Sequence, residues 1–252
     1  MRVILSVAGA GGLALAAQLS IRTPWTPVPF SFQPLAVLLV GTLMGPAWSL
    51  LSVAVYLAAA AFGLPVLAGG AGGLGELTGS TAGYLFGFAA AASLTGWLVR
   101  RPAGDGRSLP YLAAGVGVLG AAALAAFTWI ALQGETFTAD YSRTRSLLWV
   151  FASLAAAAAM ATALWAWRLR GLRGGFLRGW LACMAGIAVL HACGVLVLKP
   201  MMGYSWPEAV ALGSAVFLPF DLVKAAVAAT VAIPFLPTPG VADAPEGREA
   251  GR

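Results

Sequence analysis

The chain has 252 residues, 60% of them hydrophobic and 10% charged, with a formal net charge of +6. Soluble domains carry about 25% charged residues, so this composition, with a mean hydropathy of +0.87, excludes an ordinary soluble domain and points to an integral membrane protein. The pI near 9.9 does not require a nucleic-acid partner, because the basic residues are spread among short loops, as the positive-inside rule expects.

Apolar runs predict helices near 3–21, 34–44, 46–62, 81–99, 110–132, 147–167 and 176–198. The first, with Arg2 ahead of an apolar run and small residues around Ala14 and Ala16, would also fit a secretory signal peptide. Its reach to about Ile21 is also enough to span, which leaves signal peptide and retained helix both open on the run alone. The second run is too short to cross a bilayer unaided, and Gly45–Pro46 divides it from the third.

The last apolar stretch, 207–236, exceeds the roughly 20 residues a span needs. Pro219 divides it into an interfacial or re-entrant piece near 207–216 and a spanning helix, since proline suits a first helical turn. The expectation is eight membrane helices. The tail 237–252 is rich in Pro, Gly and charge and reads as disordered and cytoplasmic. Cys183 and Cys193 share one predicted helix, roughly 15 Å apart along its axis. That is too far for a disulfide, and both read as packing residues.

With the N-terminus inside, the cytoplasmic segments hold Arg2, Arg100, Arg101, Arg107, Arg168, Arg170, Arg173, Arg178, Arg248 and Arg252. The outer segments hold only Arg22, Arg143, Arg145 and Lys199. Ten against four favours both termini in the cytoplasm. The Pro-rich loop Thr23 to Pro34, the stretch Gly63 to Phe88 and the start of the last helix then converge on the outer side.

Gly63 to Phe88 carries nine of the 32 glycines and one acid, Glu76. Irregular backbone at membrane depth survives only where protein or a wet cavity covers it, so the stretch reads either as a pocket wall or as a mobile surface loop. Asp221 and Lys224 are the two ionisable groups singled out inside a predicted span. At i and i+3 they share a helix face, and insertion costs of about 2.5–3.5 kcal/mol each at a bilayer centre require them to pair or to face a cavity. They read as a self-neutralising pair or as a polar clamp for a small molecule. His191, mid-span beside Cys193, reads as a satisfied core histidine, because a metal site takes three or four ligands. Trp25, Trp97, Trp165, Trp167, Trp180 and Trp206 fall near predicted segment ends, as in an interfacial belt. No P-loop is present, since the two lysines precede Pro200 and Ala225. Uphill transport would need an ion gradient or partner subunits.

Three segments in order, TPVPFSFQPLAVLLVG (26–41), GLPVLAGGAGGLGELTGSTAGYLFGF (63–88) and FLPFDLVKAA (217–226), together resemble the BioY family. These are the biotin-specific substrate-binding S components of energy-coupling factor (ECF) transporters. The resemblance covers about 14–101 and 174–233. It implies an all-α integral membrane protein whose six-helix core captures biotin on the outer side, without a cofactor or metal of its own. It also implies a transmembrane coupling subunit and two cytoplasmic ATPases that consume ATP, in a bacterial or archaeal cytoplasmic membrane. The family's Asp-x-x-Lys falls on Asp221 and Lys224, its Pro-Phe-Thr-x-Gln on Pro29, Phe30, Ser31 and Gln33, and its Gly-rich loop and Gly-Tyr on Gly69 to Gly75 and Gly83–Tyr84. The implied substrate contacts are Asp221, Lys224, Tyr84, Gln33, Ser31, Phe30, Gly70, Gly72, Gly73, Gly75 and Thr81. Ala8, Gly12 and Ala16, spaced by four on the first helix, are the implied docking stripe.

The chain departs from the family in two places. Gly79-Ser80-Thr81 stands where the family has Gly-Pro-Thr. Residues 102–173 look like an inserted hairpin of two extra helices, between core segments 1–101 and 174–236 of one membrane domain. Contact with the coupling subunit or self-association is open for that insert. The readings weighed against biotin capture are an S component for another vitamin, an intramembrane serine protease using His191, and a scaffold without a small-molecule ligand. The sequence offers no Gly-x-Ser-Gly for the protease.

Overall fold

The computed structural model describes residues 1–101 and 173–232. The extra helices expected at 110–132 and 147–167, and the tail 237–252, lie outside the described residues. Numbered over the described residues, the elements are α1 (Arg2–Gln18), β1 (Ser20–Thr23), β2 (Thr26–Ser31), α2 (Gln33–Met44), α3 (Pro46–Ala61), α4 (Leu74–Leu77), α5 (Ala82–Arg100), α6 (Arg173–Met202), α7 (Trp206–Val210) and α8 (Leu218–Ala232). A short 3-10 turn, Ala68–Gly70, precedes α4, and a π-helical segment, Ala211–Ala215, joins α7 to α8.

Two helices, Ala82–Arg100 and Phe176–Met202, are long and apolar enough to cross a membrane, and the pair Trp206–Ala215 with Leu218–Ala232, bent by 41°, makes a third candidate. Helix α1, with 17 residues, reaches about 26 Å, a little short of the roughly 30 Å hydrocarbon core. Large apolar side chains such as Ile4, Leu15, Leu50 and Leu196 point outward, as lipid-facing surfaces require. The described part is a mostly helical, multi-pass membrane protein.

The expectation of a purely helical chain is corrected at one place. The segment read as a Pro-rich loop forms an antiparallel hairpin, with Ser20 opposite Ser31, Ile21 opposite Phe30 and Thr23 opposite Thr26. Proline is tolerated there because a two-stranded ribbon consists only of edges. The break in the last stretch falls ahead of Pro219, where the π-helical turn, rather than proline alone, redirects the chain.

Helix α5 is the axis of the bundle, packed on α2, α3 and most extensively on α6. Lipid offers apolar side chains no less than protein does, so such seams depend on close packing. A Cβ at Gly41 would lie 2.6 Å from Ala92 O, and one at Gly96 2.6 Å from Gly41 O. These glycines set how closely α2 and α5 approach. At the far end of α5, Arg100 donates to Leu43 O at 2.8 Å and Thr42 O at 3.3 Å, supplying partners for the last carbonyls of α2. The main apolar cluster includes Leu13, Val37, Val53, Tyr56, Phe88, Leu190 and Phe217.

Candidate substrate-binding site

Helices α5, α6 and α8, the hairpin and the Gly-rich stretch enclose a cavity of about 580 Å³, within the range of about 300–1,000 Å³ usual for small-molecule sites. Leu85, Phe88, Leu190 and Phe217 provide apolar wall. Asp221, Lys224 and His191 provide a charged and polar end.

The polar end follows from the start of α8. Asp221 lies in its first turn, where unpaired amides favour a carboxylate. It is 1% exposed, and both its oxygens are held: Lys224 Nζ donates to Oδ1 at 2.8 Å and His191 Nε2 stands 2.8 Å from Oδ2. A buried charge requires such pairing. The expected ion pair is therefore formed, and both its members line the cavity. His191 is the buried, satisfied histidine expected, with Asp221 as its nearer partner, and it also lines the cavity.

The walls are tied to this end by hydrogen bonds. Tyr84 Oη donates to Gly213 O at 2.6 Å, and Thr26 Oγ1 donates to Leu212 O at 2.7 Å. Both carbonyls belong to the π-helical segment, a distortion frequent at functional sites. Gln33 Nε2 donates to Tyr56 Oη at 2.7 Å, and Ser31 Oγ donates to Gln33 Oε1 at 3.1 Å. This chain of bonds fixes the turn from β2 into α2 along one wall.

The Gly-rich stretch is held by its own backbone. Gly73 N donates to Ala60 O at 2.7 Å and Leu67 N to Ala71 O at 2.9 Å, with Gly73 at φ 100°, a conformation glycine adopts without a Cβ penalty. Arg22 on β1 donates to Ala68 O at 3.4 Å, so hairpin and glycine stretch meet over the cavity. Leu67, Ala68, Ala71, Gly75, Glu76 and Gly79 all line it.

Of the contacts inferred from resemblance, Asp221, Lys224, Tyr84, Gln33, Ser31, Gly75 and Thr81 line the cavity. Gly70, Gly72, Gly73 and Phe30 are not among its lining residues. The Gly70 and Gly73 positions serve the turn, with φ of 74° and 100°, and Gly72 packs against the Leu64 carbonyl. Phe30 stacks on Phe217, ring centroids 4.4 Å apart, and supports the wall from behind. Residues that sequence reasoning did not assign include His191, Thr26, Arg22 and Thr23. On α1, Ala8 and Gly12 are exposed and Ala16 is half-buried, while Ser6, Ala10, Leu13 and Ala17 face the bundle.

Fold and cavity together define a class: a helical membrane protein built around a small-molecule pocket with a buried ionic end. Over residues 1–170 and 148–238 the sequence matches the family model of BioY, and the chain belongs to the BioY family. The biotin transporter BioY of Rhodobacter capsulatus is 47% identical over 91 residues, 36% of this chain and 46% of that protein. Its counterpart in Rhizobium etli is 28% identical over 209 residues, 83% of this chain and 78% of that protein. The biotin transporter BioY of Thermotoga maritima is 41% identical over 100 residues, 40% of this chain and 57% of that protein. The chain thus spans about half the length of the first and third of these relatives. The crystal structure of the S-component for biotin from an ECF-type ABC transporter superposes with a TM-score of 0.59, covering 93% of this chain and 89% of that chain at 17% identity. At that identity the likeness establishes the fold.

Proposed function

We propose that this chain captures biotin from the outer side of a bacterial or archaeal cytoplasmic membrane and serves as the S component of an ECF transporter. The observation that carries the reading is the Asp221–Lys224–His191 cluster, buried at one end of a cavity of about 580 Å³ in a BioY-family chain. Biotin has a flat ureido head with two N–H donors and a carbonyl acceptor, an apolar thioether ring and a carboxylate tail. A carboxylate acceptor beside an ammonium donor matches such a head, and the apolar wall of Leu85, Phe88, Leu190 and Phe217 matches the ring. The substrate contacts proposed are Asp221, Lys224, Tyr84, Gln33, Ser31, Gly75 and Thr81. Both termini lie in the cytoplasm, as the charge count favours.

The energy for uptake comes from partners: a transmembrane coupling subunit and two ATPases. The docking surface is the Ala8, Gly12, Ala16 stripe, where a Cβ at Gly12 has nothing within 4 Å, leaving room for close approach of another helix. Gly12→Leu therefore should leave biotin binding by the purified chain unchanged and lower ATP-dependent uptake in cells carrying the coupling module. Normal uptake by that variant would remove α1 as the docking face. Uptake that needs no coupling module would remove the S-component assignment.

A further inference from the structure

The carbonyl of Gly213 accepts from Tyr84 Oη of α5 at 2.6 Å, and His191 Nδ1 of α6 lies 3.3 Å from it. In a regular α-helix the Phe217 amide would occupy that carbonyl. Here Phe217 N donates to Ser214 O at 2.9 Å and Val216 N to Ala211 O at 3.3 Å. The turn is opened, and Tyr84 Oη uses the acceptor it releases.

His191 joins this turn to the ionic end of the cavity. Its side chain is 7% exposed, its Nε2 lies 2.8 Å from Asp221 Oδ2, and its ring is stacked on Phe217 with centroids 6.2 Å apart. An ionised carboxylate only accepts hydrogen bonds, so the shorter contact is an Nε2–H donation to Asp221. Lys224 alone would leave the carboxylate plane free to turn about its Oδ1 bond. With Oδ2 held as well, the plane is set while Asp221 still lines the cavity.

We propose that His191 is a positioning residue of the binding site: its Nε2–H bond to Asp221 Oδ2 orients the carboxylate that, with Lys224, receives the polar head of the ligand. The ligand rests on the vitamin-capture reading above; the His191–Asp221 bond does not.

Two amide substitutions separate the ring's two sides. Glutamine can place its side-chain N–H near the position of Nε2 and reach Asp221, whereas asparagine is shorter and can donate only toward Gly213. His191→Gln is expected to keep biotin affinity within about threefold of wild type. His191→Asn and His191→Phe are expected to lose about tenfold or more, the effect of one hydrogen bond to a charged group, with ligand-free melting temperatures close to wild type. Equal affinity in the Gln and Asn variants would overturn the proposal. So would wild-type affinity in the Phe variant, or parallel loss of melting temperature and affinity in all three.

A ligand-free readout is available because the chain has a single histidine. With 15N-histidine labelling, the ring should show a protected Nε2–H resonance that shifts in Asp221→Asn. An unprotonated Nε2, indifferent to that substitution, would overturn the proposal by itself. Failure of the wild type to bind biotin, with the Nε2–H signature present, would remove the biotin reading and leave His191 as the orienting partner of Asp221 for another ligand.

Discussion

Lys224→Ala is expected to weaken biotin binding by about 10- to 150-fold, because a hydrogen bond involving a charged group contributes about 1.5–3 kcal/mol. Lys224 stands at the cavity wall with its side chain 12% exposed, while Asp221 behind it is 1% exposed. The change removes a donor to the ligand and leaves the carboxylate with the hydrogen bond from His191. Breaking a buried pair from one side costs about 3–5 kcal/mol of stability, so the single variant should also melt earlier in detergent. The double change Asp221→Asn with Lys224→Met separates the two effects. Removing both charges relieves the unpaired carboxylate and should restore the melting temperature, but not the affinity. Near-normal binding by Lys224→Ala, or recovery of binding in the double variant, would show that the ion pair is structural.

The second large effect concerns the seam between α5 and α6. A Cβ at Gly83 would stand 2.8 Å from Val197 Cβ and overlap the Cys193 carbonyl. A backbone oxygen cannot rotate aside, so the helices must separate. Gly83→Leu is therefore expected to destabilise the chain by about 1–3 kcal/mol or more. Because Tyr84 follows directly and its Oη holds Gly213 O at 2.6 Å, the opened seam should also reduce biotin affinity. Thermal unfolding in detergent beside the Gly12→Leu variant gives the comparison, since Gly12 faces open space. Equal melting temperatures for the two leucine variants would contradict the packing described for α5 and α6.

Among the described residues, α1, α2, α3, α5 and α6 were legible because each is an apolar run, and Gly45–Pro46 marks the α2–α3 boundary in one dipeptide. The hairpin was not. Pro24, Pro27 and Pro29 argue against strands in general, and nothing local reveals that only two strands pair, with Pro24 in the turn and Pro27 and Pro29 on an edge strand. Asp221 and Lys224 were legible because their i, i+3 spacing places them on one face regardless of tertiary structure. The partners of His191 lie 22 and 30 residues away across a turn whose π-helical form the sequence does not announce. One signal was available: an ionisable residue within an apolar span is a site candidate by default, and the only histidine of the chain met that description. Gly70, Gly72 and Gly73, implied as contacts by the resemblance, are not among the residues that line the cavity. They build the loop's backbone, and neighbouring residues of the loop face the cavity.

The central claim is that this cavity binds biotin, and equilibrium binding of labelled biotin to the detergent-purified full chain tests it most directly. The structure predicts saturable binding of one biotin per chain, displaced by unlabelled biotin and not by vitamins that lack a ureido group. A well-folded chain that binds no biotin, or one whose bound label is displaced equally by unrelated vitamins, would contradict it.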